Sequence, residues 1–122
     1  MLVGSDPAIA PVRRALAVWG LNADAVGVIS CHGTSTKVND SIECDIYNTQ
    51  FAMRGRTAGN SIPVITQKGL TGHPKGGADA WMFNGMLQTL NSALVPGSHN
   101  ADNISAGLQA FPHLYYPSRW TR

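Results

Sequence analysis

Apolar residues recur along this chain with two different periods. Val12, Leu16 and Trp19 fall at helical spacing with Ala15 beside them, which predicts a first helix. Pro11 suits the first position of that helix, where a missing N–H costs nothing, and Gly20 supplies its stop. Val26-Gly27-Val28-Ile29-Ser30-Cys31 is a short β-branched run that predicts a buried strand. His32 to Asn39 is polar and turn-rich. Asp40 then stands where an N-cap belongs, with Glu43 three residues on, close to a capping box. Ile42, Ile46, Gln50 and Met53 mark one stripe of a second helix, with Tyr47 and Phe51 adjacent, and the segment from Arg54 to Asn60 ends it.

Ile62-Pro63-Val64-Ile65-Thr66 predicts a second strand with its proline near the start. A glycine-rich loop follows, Lys68-Gly69-Leu70-Thr71-Gly72-His73. Pro74 opens the third and longest predicted helix, which runs to about Leu94. Its first turns carry Gly76, Gly77, Ala78 and Ala80, small enough for close backbone packing. Phe83, Met86, Leu87, Leu90 and Leu94 follow, and Trp81, Met82 and Met86 read as core residues. Pro96-Gly97 turns the chain, Asp102 is placed to cap a short helix, and His113 to Tyr116 read as a last strand. Strands alternating with helices predict an α/β fold with its main strands parallel.

Composition narrows the classes further. The chain has 122 residues and a mass of 13.0 kDa, one domain's worth of sequence. Hydrophobic residues make up 43%, so disorder through excess charge is excluded. The charged fraction is 13%, well below the roughly 25% of ordinary soluble domains, which suggests a surface hidden against other protein. The net charge is +2 and there is no run of Lys or Arg, so a nucleic-acid partner is not expected. No apolar stretch approaches the ~20 residues a membrane span needs. Met1 to Pro7 lacks the basic and apolar regions of a signal peptide. Two cysteines, Cys31 and Cys44, make no disulfide framework, so reduced thiols and a cytoplasmic location are expected. Asn39-Asp40-Ser41 and Asn103-Ile104-Ser105 then read as chance matches to a glycosylation pattern.

Two loops carry candidate chemistry: His32-Gly33-Thr34-Ser35-Thr36 and Lys68 to His73. Both follow predicted strands, and open α/β sheets bind ligands beyond the carboxyl ends of their strands. Two neutral imidazoles can each donate one N–H, and two such donors aimed at one enolate oxygen form an oxyanion hole. His73 is expected at a helix N-terminus, whose dipole keeps the ring neutral, and Lys68 adds positive potential to the same pocket. The rivals are weaker. A zinc site needs three or four ligands, and Cys31 and His32 point to opposite faces of a strand. Cys31 in an apolar strand and Cys44 among helix core positions read as structural thiols, which argues against a Cys–His hydrolase. His99 and His113 read as structural or surface residues. Gly69, Gly72, Gly76 and Gly77 follow neither nucleotide-binding spacing.

Together the two loops resemble the C-terminal half of a β-ketoacyl synthase, in the thiolase-like superfamily. His32-Gly33-Thr34-Ser35-Thr36 with Asn39-Asp40 and Glu43 is similar to the family's first histidine motif. Lys68 through His73, with the lysine five residues before the histidine, is similar to the second. Thr71-Gly72-His73-Pro74-Lys75-Gly76, Ala80-Trp81-Met82, Val95-Pro96-Gly97, Asn100-Ala101-Asp102-Asn103 and Tyr116-Pro117-Ser118-Arg119 resemble the condensing domain of fungal type I fatty acid synthase α subunits. The resemblance runs from about Pro11 to Arg119.

It implies a partial thiolase-like α/β fold, with alternating strands and helices on a mixed sheet, in which residues 1–122 form the C-terminal part of the synthase domain. It implies a decarboxylative Claisen condensation between acyl and malonyl thioesters. His32 and His73 would stabilise the enolate, Lys68 would be the supporting cation, and Thr34 and Thr36 would hydrogen-bond the phosphopantetheine arm. No metal or other directly bound cofactor is implied. The implied partners are the acyl carrier protein domain, the rest of the α subunit, the β subunit and a second ketosynthase in a homodimer. In this family the nucleophilic cysteine belongs to the N-terminal half, and neither Cys31 nor Cys44 matches its motif, so the chain alone is expected to be inert. Gly77 and Asp79 stand where the family usually has alanine and glycine, and Met82 stands where some bacterial relatives carry a glutamate that pairs with the lysine. Two alternatives stay open: a polyketide ketosynthase, and a non-catalytic structural or interaction module.

Overall fold

The computed structural model describes residues 11–99 and 101–122. The leader reading on Met1 to Pro7, and Asn100 of the quoted motif, lie outside the described residues. Helix α1 spans Pro11–Val18, α2 Lys37–Met53, α3 Lys68–Thr71, α4 Ala78–Ser92 and α5 Ala106–Gln109. The strands are β1 at Ile29–Ser30, β2 at Ile62–Ile65 and β3 at Leu114–Tyr115, with short 3₁₀ turns at Ala23–Ala25 and Lys75–Gly77.

The sheet has the order β1-β2-β3, and β2 pairs in parallel with both neighbours. A mixed sheet was expected; among the described residues the antiparallel pairing is confined to one bridge, Val95 with Thr121. β2 is buried along its whole length, as an unbroken Ile-Pro-Val-Ile run at the centre of a parallel sheet should be. Pro63 is tolerated there because of register. Ile62 donates to the His113 carbonyl on the β3 side at 2.8 Å, so the missing N–H of Pro63 faces the β1 side. Pairing with β1 starts only at the next residue, where Val64 meets Ile29. The core gathers Ala23, Cys31, Cys44, Phe51, Ile62, Val64 and Leu114.

Several elements depart from the sequence pattern. β1 shrinks from the expected 26–31 to two residues. α2 starts earlier than Asp40: Thr36 is its N-cap, its hydroxyl accepting from the Asn39 N–H at 3.2 Å. No capping box forms at Asp40, because Asp40 lies inside the helix and the Glu43 carboxylate is taken up by the His32 and Gly33 N–H groups and the Asn39 amide. The buried residues of α2 are Cys44, Gln50 and Phe51, with Tyr47 half-buried beside them, while Ile42 and Met53 are exposed. Trp19 lies beyond the end of α1 and is exposed. Asp102 caps nothing; Ser105 is the N-cap of α5.

The largest inversion is in α4. Ala78, Met82, Gly85 and Thr89 face the protein, and Trp81, Phe83, Leu87 and Leu90 face outward. On the inward side Gly85 meets the Gln67 amide and Met82 meets Gln67 and Lys68, while Trp81 is exposed and is no core residue. Asp79 is exposed in the first turn of α4, where the dipole favours a carboxylate, so no tightly packed glycine site is disturbed.

Away from the histidine loops, one clasp joins two connections. The carboxylate of Asp24 accepts from the Thr57 N–H at 2.9 Å, the Thr57 hydroxyl at 2.7 Å and the Asn60 amide at 3.0 Å. Beside it the buried Arg56 guanidinium donates to the carbonyls of Ala23 and Asn60. The bonds from Thr57 and Asn60 hold the Asp24 carboxyl below its ordinary 3.8. Its contribution is therefore complete above pH 3.8 and fades as the pH falls through the lower folded-state value. Amide exchange should show Thr57 protected at neutral pH, with that protection lost only in acid below 3.8, and Asp24→Ala should remove it at every pH.

Candidate functional site

β1 and β2 lie side by side and end at the same edge of the sheet, so the loops that follow them meet. His32 comes two residues after β1, and Lys68 opens α3 three residues after β2. The stretch from Lys68 is not the open glycine-rich loop its composition suggests. It makes one helical turn, and Gly72, at φ +70°, then reverses the chain and delivers His73.

The two imidazoles come together. The His32 and His73 ring centroids are 5.2 Å apart and the rings stand edge to face at 80°. His32 is half-buried and His73 is exposed. Lys68 is buried, and its ammonium donates to the His32 carbonyl at 2.6 Å and to His32 Nδ1 at 3.2 Å. An ammonium can only donate, so Nδ1 of His32 is the acceptor and the ring proton sits on Nε2. His73 reaches the same state by another route: its Nδ1 accepts the backbone N–H of Lys75 at 3.1 Å, which leaves its proton on Nε2. The helix-dipole expectation for His73 needs correcting. α4 starts at Ala78, beyond a 3₁₀ turn, so a local backbone hydrogen bond sets the tautomer.

Glu43, read from sequence as part of a cap, does something else. One carboxylate oxygen accepts the His32 N–H at 2.7 Å and the Tyr47 hydroxyl at 3.2 Å. The other accepts the Gly33 N–H at 3.1 Å and the Asn39 amide at 3.3 Å. Burial pushes the Tyr47 hydroxyl up, so it stays protonated and keeps donating. The carboxylate thus holds two successive N–H groups at the turn that presents His32. Gly33 makes the turn possible. Its φ is +49°, and a Cβ there would lie 2.7 Å from Cγ2 of Thr66.

A cavity of about 440 Å³ opens beside the histidines and is lined by Gly33, Thr34, Lys68, His73 and His99, among others. Of the two threonines singled out from sequence, Thr34 lines this cavity. Thr36 lies in an adjoining depression with Ser35, Asp40 and Ser105, its oxygen engaged at the start of α2. His99, read as structural or surface, is exposed and also lines this cavity with His73. Its position follows from the contact of Gly69 with the His99 side chain, which no local pattern signals. His113 lies elsewhere, tied through its backbone to Ile62 and to the Asn48 side chain.

One further residue, Gln67, escaped the sequence reading, and Met82 stands at the lysine, at the place where some bacterial relatives carry a glutamate. Gln67 donates from one amide nitrogen to the Ser30 hydroxyl and to the Met82 carbonyl, both at 2.9 Å. The thioether of Met82 lies 3.1 Å from the Lys68 ammonium. The signal available was the Gln-Lys pair after a strand, which by itself carries no geometry. Cys31 and Cys44 are free and buried in the core. The hydrogen bond to Cys44, burial and the Glu43 charge push the Cys31 thiol up, so it is no nucleophile. Among the described residues no group of three or more His, Cys, Asp or Glu is arranged to hold a metal ion, and no helix is long and apolar enough to cross a membrane.

The chain is 58% identical over 114 residues to the fatty acid synthase subunit alpha of Aspergillus oryzae, covering 93% of this chain and 6% of that protein. It is 56% identical over 113 residues to the corresponding subunit of Schizosaccharomyces pombe, again covering 93% of this chain and 6% of the relative. The chain therefore spans about 6% of the length of these curated relatives. In fold it superposes on the ketosynthase from module 6 of the bacillaene synthase of Bacillus subtilis, with a TM-score of 0.79 at 20% identity, over 98% of this chain and 22% of that one. Residues 5–102 match the family described as the beta-ketoacyl synthase C-terminal domain, and the chain belongs to that family.

Proposed function

We propose that this chain is the histidine-bearing part of the ketoacyl synthase domain of a fungal-type fatty acid synthase α subunit, and that residues 1–122 all belong to that domain. The carrying observation is the pair of imidazoles, 5.2 Å apart, each with Nδ1 occupied and Nε2–H left to donate. In the reaction, a malonyl thioester loses carbon dioxide and its thioester oxygen takes up the electron pair as an enolate. His32 and His73 donate to that oxygen, and a pair of fixed donors lowers the barrier without reorganising. The enolate carbon then attacks the acyl thioester held on a cysteine, and the cysteine thiolate leaves. Lys68 holds His32 in the donating tautomer and adds positive potential. The buried Cys31 and Cys44 do not suit the acyl-bearing role, so that thiol comes from outside this segment.

Thr34 hydrogen-bonds the phosphopantetheine arm in the cavity beside His73, and the Thr36 hydroxyl proton meets the arm along the adjoining depression. The arm belongs to acyl carrier protein, and no other cofactor is required. The outward apolar face of α4 and the low charge fit a segment covered by the rest of the α subunit, in an assembly with the β subunit and a paired ketosynthase. A cytoplasmic setting keeps Cys31 and Cys44 reduced. A polyketide ketosynthase draws only on a shared fold at 20% identity, whereas the fatty acid synthase relatives reach 58%.

In an intact synthase carrying this segment, His32→Ala or His73→Ala should slow carbon dioxide release from malonyl-carrier protein by about 10²–10³-fold, the scale of losing one oxyanion donor. A loss below tenfold for both variants overturns the proposal. The purified 122-residue chain should form no 3-oxoacyl product from acyl- and malonyl-carrier protein, since covalent catalysis needs the thiol it lacks. Product formation by that chain, followed by chromatography, would count equally against it.

A further inference from the structure

Gln67 ties together the two elements that carry the histidines, and nothing in the reaction itself asks for a glutamine there. Its amide nitrogen donates at 2.9 Å to Ser30, the last residue of β1, two residues before His32. The same nitrogen donates at 2.9 Å to the carbonyl of Met82 in α4, the helix that follows His73. Met82 in turn rests its sulfur 3.1 Å from the ammonium of Lys68. Lys68, the residue after Gln67, holds His32. One amide therefore spans β1, the start of α3 and α4 at once.

The helix is shaped to receive that amide. A Cβ on Gly85 would lie 2.0 Å from the Gln67 Oε1 and 2.8 Å from its amide carbon. No side chain fits at position 85 while the amide stays in place. Alanine is a better helix former than glycine, and Gly85 sits inside α4, so local helix stability argues for alanine there. The glycine is explained by the glutamine.

We propose that Gln67, seated against Gly85, is a positioning residue that sets the distance between His32 and His73 and holds Met82 on the Lys68 ammonium. The amide touches no substrate. It acts by fixing α4 against the end of β1, so its loss lets the two Nε2–H donors drift from a shared oxygen. An Å-scale misplacement of catalytic groups is enough to cost about 10²-fold. The inference rests on the two-histidine reading above.

The test is a double-mutant cycle in the intact synthase, with two steps measured separately: acylation of the synthase thiol by a fatty acyl thioester, and decarboxylation of malonyl-carrier protein. Gly85→Ala and Gln67→Ala should each lower the decarboxylation kcat by about tenfold or more, with KM and the acylation rate within about twofold of the unaltered enzyme. Gln67→Glu, nearly the same size but without the donating N–H₂, should behave like Gln67→Ala. In the Gln67→Ala background, Gly85→Ala should cost nothing further, because no amide remains to displace. The proposal is overturned if Gly85→Ala is harmless, if its effect multiplies with that of Gln67→Ala, or if acylation falls in parallel with decarboxylation. Full activity in both His32→Ala and His73→Ala would instead sink the reading on which it rests. Inactive histidine variants beside an unaffected Gly85→Ala sink this inference alone.

Discussion

Lys68 carries its charge inside the protein, and the site is arranged around that fact. Burying an ammonium costs on the order of several kcal/mol unless its hydrogens are satisfied. Here the His32 carbonyl, the His32 ring and the Met82 sulfur take them up. The group that satisfies the lysine is thus the group the chemistry uses. Every partner of the ammonium fixes something: the carbonyl fixes the loop, Nδ1 fixes the tautomer, and the sulfur fixes the approach of α4. A neutral residue at 68 would leave the His32 ring free to turn over and offer the wrong nitrogen.

Around this ammonium the fold works as a set of clamps on short elements. β1 is two residues long and cannot hold a loop rigid by its own ladder. The Glu43 carboxylate supplies the missing rigidity from α2 by taking the N–H groups of His32 and Gly33. Charge-assisted bonds of this kind are about twice as strong as neutral ones. Gln67 performs the equivalent task between β1 and α4. The histidine loops are precise because side chains from other elements hold their backbones.

What could be read from the sequence, and what could not, divides along the same line. Adjacent parallel strands with a histidine shortly after each could be read, because strand pattern and glycine spacing are local. The pairing of His32 with His73 followed from the sheet geometry those strands imply. Glu43 was misread because its spacing from Asp40 imitates a cap, and only the tertiary position of the His32 loop shows where its oxygens go. The face of α4 was inverted for a related reason. Apolar residues are taken to point inward, but here the inward side carries Ala78, Met82, Gly85 and Thr89, and it meets Gln67 and Lys68. The large side chains are left for whatever packs on the outer side. Gln67 gave no pattern to read, since an amide between two strangers in sequence has no period.

The parallel register of β1 on β2 has a consequence for how such a chain can vary. Ser30 is opposite Ile65, and His32 and Lys68 lie two and three residues beyond that pair. One added or deleted residue in either short stretch would break the fit of the Lys68 ammonium to the His32 carbonyl and ring. Changes of length must therefore collect elsewhere, such as the connections around Gly20 and Gly59, leaving the two intervals as a fixed ruler within an otherwise adjustable chain.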